Sequence, residues 1–263
     1  KIATLKNKEV DILAYLPADI ATDFYFDDFY LKRKPSLEVN FLMFNFDGIF
    51  ASQKLRQAVK SALNTNELMR LAQGFAVPVT QFVANGIFGF DPSIKADIRP
   101  LPEQQSVKVS LDLPLGLKSF GEGIKKQLAS VGVNVDVKLL SQEELSKKIL
   151  NQTSEFFFFG WGSELGDSAD FLTAVVHSKE GQFGQFNGGG YRNKEIDNLI
   201  ELSQKTLDES ERLGYLRSVM RKITDEDIIG IPLFSPEVLY AVSKNVKWTP
   251  RVDAYVLAQE VKM

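Results

Sequence analysis

From residue 107 onward the apolar positions switch repeatedly between strand period and helix period, and most switches carry local punctuation. Val107, Val109, Leu111 and Leu113 alternate with polar neighbours and predict a strand. Ser119 and Glu122 have the spacing of a capping box, which predicts a helix whose buried stripe holds Ile124 and Leu128 and which Gly132 ends in the left-handed conformation. Val133, Val135, Val137 and Leu139 alternate again, and Ser141 with Glu144 predicts a second capped helix ahead of Leu145 and Ile149. The unit reads strand, helix, strand, helix, and crossovers of this length favour a right-handed parallel sheet. It feeds the segment EFFFFGWGSELGDSADF, residues 155–171. Phe156 to Phe159 do not alternate with polar residues, so both faces of their strand are expected to be covered, as in a sheet with helices on each side. Trp161 and Glu164 follow just past its carboxyl end, where ligands collect in open α/β sheets.

Upstream, Leu55, Ala58, Val59, Ala62 and Leu63 share one helical face behind a Ser52 N-cap, and Asn64 with Glu67 predicts the start of another helix. Downstream, Ile196, Leu199, Ile200 and Ser203 mark a helix, and Asp208 with Glu211 caps one that turns Leu213, Leu216, Val219 and Ile223 inward. Two extended segments, around 228–234 and 237–243, close the pattern and are expected to be separate, with Ser235 and Pro236 between them. The first 40 residues fit poorly and offer too little sequence for a core of their own, so they are expected to belong to another, incomplete layer.

Composition narrows the function classes. The chain has 263 residues, 44% of them apolar, which suffices for a sizeable core. Its 31 Lys+Arg and 34 Asp+Glu give a net charge of −3 with no long run of one sign, so no nucleic-acid footprint is present and no nucleic-acid partner is expected. Cysteine is absent, which removes disulfides and thiolate chemistry. His177 is the single histidine, so a His-ligated metal cluster is excluded and a serine triad would rest on that residue alone. Ser163 lacks the G-x-S-x-G frame because Trp161 occupies the first glycine position. KIATLKNKEVD does not read as a signal peptide, and Lys1 in place of methionine suggests a processed or excised chain.

The order of motifs resembles the extracellular solute-binding proteins of family 5, the peptide and nickel receptors of ABC importers. LKNKEVDILAYLP is similar to a family segment with Glu-Val-Asp before an apolar stretch. VNFLMFNFDGIFASQKLRQAVKSALNTNELMRLAQGFAVP resembles its Asn-ended strand and Arg-x-Ala helix, and FFFFGWGSELGDSADF its Gly-Trp loop. YRNKEIDNLI and IIGIPLFSPEVLYAVSKNV are similar to its late helix and strand pair. Two departures are the serine at Ser168, where the family often has proline, and Glu164, where it has aspartate.

The resemblance implies an α/β, periplasmic-binding-protein-like (class II) lobe with a mostly parallel sheet flanked by helices, plus remnants of a first lobe. Residues 1–38 would be such a remnant with the approach to the hinge, 39–234 the second lobe with hinge strands, and 235–263 the return to lobe one. It implies an exported protein, periplasmic or a cell-surface lipoprotein, that binds a short peptide or other small solute and meets an ABC permease. A monomer without cofactor, metal or catalysed reaction is expected, and a lobe alone is expected to bind weakly. The alternatives are a ligand-sensing domain of a regulator, a carbohydrate-active enzyme using the acidic loop, and a binder of chelated nickel.

Within that frame Glu164 would pair with a ligand ammonium, the alternative being a solvated loop carboxylate. Trp161 would wall a side-chain pocket or plug the core, and Gly160 and Gly162 would allow close backbone approach. Asn45 would hydrogen-bond across the cleft or lock a turn, and Phe234 would line the cleft floor or pack the core. Asn187, opening the NGGG run to Gly190, would cradle an anion or belong to a flexible loop. Asp167 and Asp170 would serve as sugar-directed acids or as helix-start residues.

Overall fold

Residues 2–22, 27–72, 74–95, 104–163 and 165–262 are described by the structure, a computed structural model. The chain opens with helix α1 (Ile2–Lys6), strand β1 (Ile12–Ala14), helix α2 (Ala18–Thr22) and strands β2 (Phe29–Pro35) and β3 (Glu38–Phe44). Helices α3 (Gln53–Ala62) and α4 (Thr65–Ala72) lead to strand β4 (Ala76–Pro78). The predicted alternating unit follows as β5 (Val107–Pro114), α5 (Lys118–Ala129), β6 (Val133–Leu140), α6 (Gln142–Leu150) and β7 (Phe156–Gly162). A short α7 (Ala169–Phe171), helices α8 (Lys194–Lys205) and α9 (Glu209–Arg221) and strand β8 (Gly230–Ser243) complete it.

The strands run in the order β1-β8-β3-β7-β5-β6, with β2 and β4 also on β8. Among the described residues the parallel strand pairs are β5–β6 and β5–β7 alone, so the α/β sheet is mixed rather than mostly parallel. The physical reason lies in the connections. The two crossover helices α5 and α6 make β5, β6 and β7 parallel, whereas β3 enters between β7 and β8 and runs against both.

The two closing segments form one strand rather than two. β8 is continuous over 14 residues because Pro236 sits where the strand leaves β3 for β2, a point that requires no ladder donor from it. Its carbonyl accepts from the Ser36 amide at 2.9 Å, and the Ser235 hydroxyl donates to the Ser36 carbonyl at 2.9 Å.

Both faces of the phenylalanine strand are covered. Phe157 joins Phe41, Met43, Leu145, Ile196 and Leu216 on one face, and Phe156 joins Leu42, Phe44, Val59, Ile124 and Leu111 on the other. Around the far half of β8 lie two smaller clusters, Leu5, Leu16, Phe29 and Leu239 on one side and Tyr240, Val242 and Trp248 on the other. The opening segment therefore shares a core with the closing one.

Local capping follows the sequence at four of five places. Ser52 accepts from the Leu55 amide, Asn64 from Glu67 and Asp208 from Glu211, and Ser141 with Glu144 forms the reciprocal box. The box expected at Ser119 and Glu122 does not form. Leu117 and Phe120 are both buried, and seating them starts α5 at Lys118, which leaves Ser119 inside the first turn. Gly132 takes φ +72°, and a Cβ there would lie 1.9 Å from the Gln105 carbonyl oxygen, so glycine is obligatory.

Candidate functional site

Strand alternation builds the site. β3 and β7 pair as Phe44↔Phe156, Leu42↔Phe158, Asn40↔Gly160 and Glu38↔Gly162, all on one face of the sheet. Along that face the side chains change from packed core at Phe44 and Phe156, stacked at 5.0 Å, to polar groups opposite bare glycines. A Cβ on Gly160 would fall 2.5 Å from Asn40 Oδ1 and 2.9 Å from Glu38 Oε1, so both side chains lie across that glycine. At Gly162 a Cβ would meet none of the described residues within 4 Å. A bulge on β8 beside Asn40 and Phe41 brings Phe234 opposite Asn40. The result is a cavity of about 1070 Å³ whose walls include Glu38, Asn40, Phe158, Gly162, Leu165 and Phe234, large enough for a peptide-sized ligand.

Glu38 was not singled out by sequence reasoning. It stands among protein atoms on the cavity wall while solvent still reaches it. Burial pushes its carboxyl pKa above the ordinary value of 4.5, partly offset by the Asn40 amide. The signal for it in the sequence is slight: Glu38 and Asn40 are the polar positions at strand period before Leu42 and Phe44.

The predicted residues fall into three groups. Glu164 lies outside the described residues, while Gly162 and Leu165 on either side of it line the cavity. Phe234, buried, lines the cavity, and Gly160 supports Asn40. Trp161, by contrast, does not wall the cavity. Being one residue out of phase with Gly160 and Gly162, it points to the opposite face, against Phe159, Phe171 and Phe186 with ring centroids 6.5, 6.3 and 5.6 Å away.

Asn45 does not reach across the cleft either. It sits beyond the other end of β3, where Nδ2 donates to the carbonyls of Gln152 and Ser154 at 2.9 and 3.0 Å and Oδ1 accepts from the Asp47 amide at 2.9 Å. Nor does Asn187 open an anion cradle. Its amide donates to the His177 and Tyr191 carbonyls at 3.0 and 2.8 Å and accepts from the Tyr191 amide. The glycines after it are packed rather than loose: a Cβ on Gly188 would lie 2.4 Å from Ile149 Cγ2, and one on Gly189 2.4 Å from the Phe44 carbonyl oxygen.

The loop acids have structural partners. Asp167 accepts from the Ala169 amide at 2.8 Å and pairs with Arg212 at 2.6 Å. Asp170, its pKa raised by burial, accepts from the Phe171 amide and from the Ser163 hydroxyl, the latter at 3.3 Å. His177 is buried, stacked on Phe183 at 4.3 Å, with Nδ1 against the Ser178 carbonyl. Among the described residues no cluster of three or more His, Cys, Asp or Glu is arranged to hold a metal ion, and no helix is long and apolar enough to cross a membrane.

The sequence profile of bacterial extracellular solute-binding proteins, family 5 (middle region), matches residues 1–104. Di/tripeptide-binding protein 2 of Pseudomonas aeruginosa (strain UCBPP-PA14) is 25% identical over 215 residues, 75% of this chain and 40% of that protein. Glutathione-binding protein GsiB of Escherichia coli (strain K12) is 24% identical over 238 residues, 82% of this chain and 46% of its own length. The chain is thus similar to family 5 solute-binding proteins, by profile over its first 104 residues and by sequence over most of its length. The chain spans less than half the length of these two curated relatives. Its fold matches that of the ABC transporter substrate binding protein CtaP from Listeria monocytogenes, with a TM-score of 0.84 at 18% identity over 98% of this chain and 57% of the other.

Proposed function

We propose that this chain carries a ligand-gripping lobe of the substrate-binding component of an ABC importer, which takes short peptides or a related small solute between two lobes and presents them to a membrane permease. The observation that carries this reading is the cavity of about 1070 Å³ on the glycine-cleared face of β3 and β7. Relatives named for di/tripeptide and glutathione binding support peptides as the solute class.

In this reading residues 39–234 form the second lobe with its hinge strands, and 1–38 and 235–263 belong to the first. The division of β8 supports it, since one half pairs with β3 and the other with β1 and β2. Gly162 and Phe234 contact the ligand, and Glu164 meets its main-chain ammonium. The protein acts as a monomer, exported to the periplasm or held at the cell surface as a lipoprotein, and binds without cofactor, metal or chemistry. The structural partners of Asp167 and Asp170 support binding over sugar hydrolysis. Hinge closure completes the grip, so one lobe binds more weakly than two.

Saturation-transfer NMR, which detects weak ligands, tests this with alanine di- and tripeptides. Transfer to the peptide is expected with the wild type and not with Gly162→Trp, whose indole fills the open space. Absence of transfer to the wild type, or undiminished transfer in the variant, would overturn the reading.

A further inference from the structure

Among the described residues, the charged side chains that line the cavity are all acids, Glu38, Glu237 and Asp253, and no lysine or arginine lines it. Two of the three are answered within the protein, Glu237 by Arg33 at 3.5 Å and Asp253 by Arg251 at 2.5 Å. Glu38 takes part in no ion pair among the described residues, and its side chain is met only by the neutral Asn40 amide. Oε1 lies over Gly160, and the partner position Gly162 leaves the space beside it open. A carboxylate exposed on the cavity wall and without a countercharge is open to a cation that a ligand supplies, and a charge-assisted hydrogen bond between them is stronger than a neutral one.

We propose that Glu38 is a specificity-determining residue that selects solutes bearing a positively charged side group, a primary ammonium or a guanidinium, seated over Gly160 and Gly162. The inference rests on the peptide-binding reading and adds to it a second positive group, distinct from the main-chain ammonium assigned to Glu164. Phe158 and Phe234 on the same wall suit the aliphatic stem of a lysine or arginine side chain, whose charged tip then reaches the carboxylate. A neutral side group leaves Glu38 half solvated, and an acidic one adds a second negative charge beside it. The raised carboxyl pKa agrees with a group that lacks a cation of its own.

The test compares alanyl-lysyl-alanine with alanyl-norleucyl-alanine, which share the main-chain ammonium and differ in side-chain charge. Titrations of the full chain follow backbone amides for affinity and the Glu38 side-chain carboxyl carbon for its protonation midpoint. The lysine peptide is expected to bind about tenfold tighter, the size of one charge-assisted hydrogen bond, and to lower the Glu38 midpoint. The norleucine peptide is expected to leave the midpoint in place, and Glu38→Gln to erase the preference while still binding the norleucine peptide. Equal binding of both peptides by the wild type, a preference that survives in Glu38→Gln, or a Glu38 midpoint unmoved by bound lysine peptide would overturn the proposal. The midpoint is read on the wild type and does not depend on how the variant folds. Should neither peptide bind, the peptide-binding reading itself falls, and the proposal with it.

Discussion

Burial raises the Glu38 carboxyl pKa above its ordinary value of 4.5, more than the Asn40 amide lowers it. For a group whose folded pKa is raised, the associated stability is fully present below the unfolded value and is lost as pH rises through the folded value. Thermal denaturation of the unliganded chain across pH should therefore show Glu38→Gln gaining on the wild type above pH 4.5, with the difference vanishing below it. At the other end of β3, Asn45→Ala leaves the Gln152 and Ser154 carbonyls and the Asp47 amide short of a partner, which should cost about 1–3 kcal/mol in denaturant unfolding. What the sequence could show of these two residues differs. Asn45 as a turn lock was legible as one of two alternatives, since its bond to the Asp47 amide is local even though those to the Gln152 and Ser154 carbonyls are not. Glu38 acquires meaning only opposite Gly162 and beside Gly160, a register set by residues more than a hundred positions away that no local pattern encodes.

Elements built from local signals were the most readable. The run β5-α5-β6-α6-β7 follows the periods read from the sequence, and the reciprocal bonds of Ser141 and Glu144 are in place, although α5 starts without its expected box. Ser141→Ala should accordingly cost about 1 kcal/mol, whereas Ser119→Ala, inside the first turn of α5, should change stability far less; paired denaturant curves check both. Trp161 was legible only as a choice between pocket wall and core plug, because the choice depends on strand alternation, which sends its ring to the packed face with Phe171 and Phe186. The parallel order expected of the sheet failed for a related reason. Helical crossovers dictate the direction of β5, β6 and β7, but the places of β3 and β8 depend on pairing across most of the chain, including a proline-bearing strand that continues where a break was expected.

At the scale of the molecule, a mixed sheet carries packed helices on both faces, and where the face bearing Phe44 and Phe156 runs out of core it becomes the cavity wall. The fold and a resemblance to family 5 were readable from motif order; the profile match over residues 1–104 agrees with the resemblance and the likeness to CtaP with the fold. The cavity was not readable, since it arises where β3, β7 and β8 meet and no one of them contains it. The account stands on the claim that ligand occupies the glycine-cleared face and not the tryptophan face. Backbone amide mapping during titration of the full chain with an alanine tripeptide tests it most directly. Shifts concentrated at Glu38, Asn40, Phe158, Gly162 and Phe234 are the predicted result; shifts centred on Phe171, Phe186 and Asn187, with the cavity wall unmoved, would contradict it.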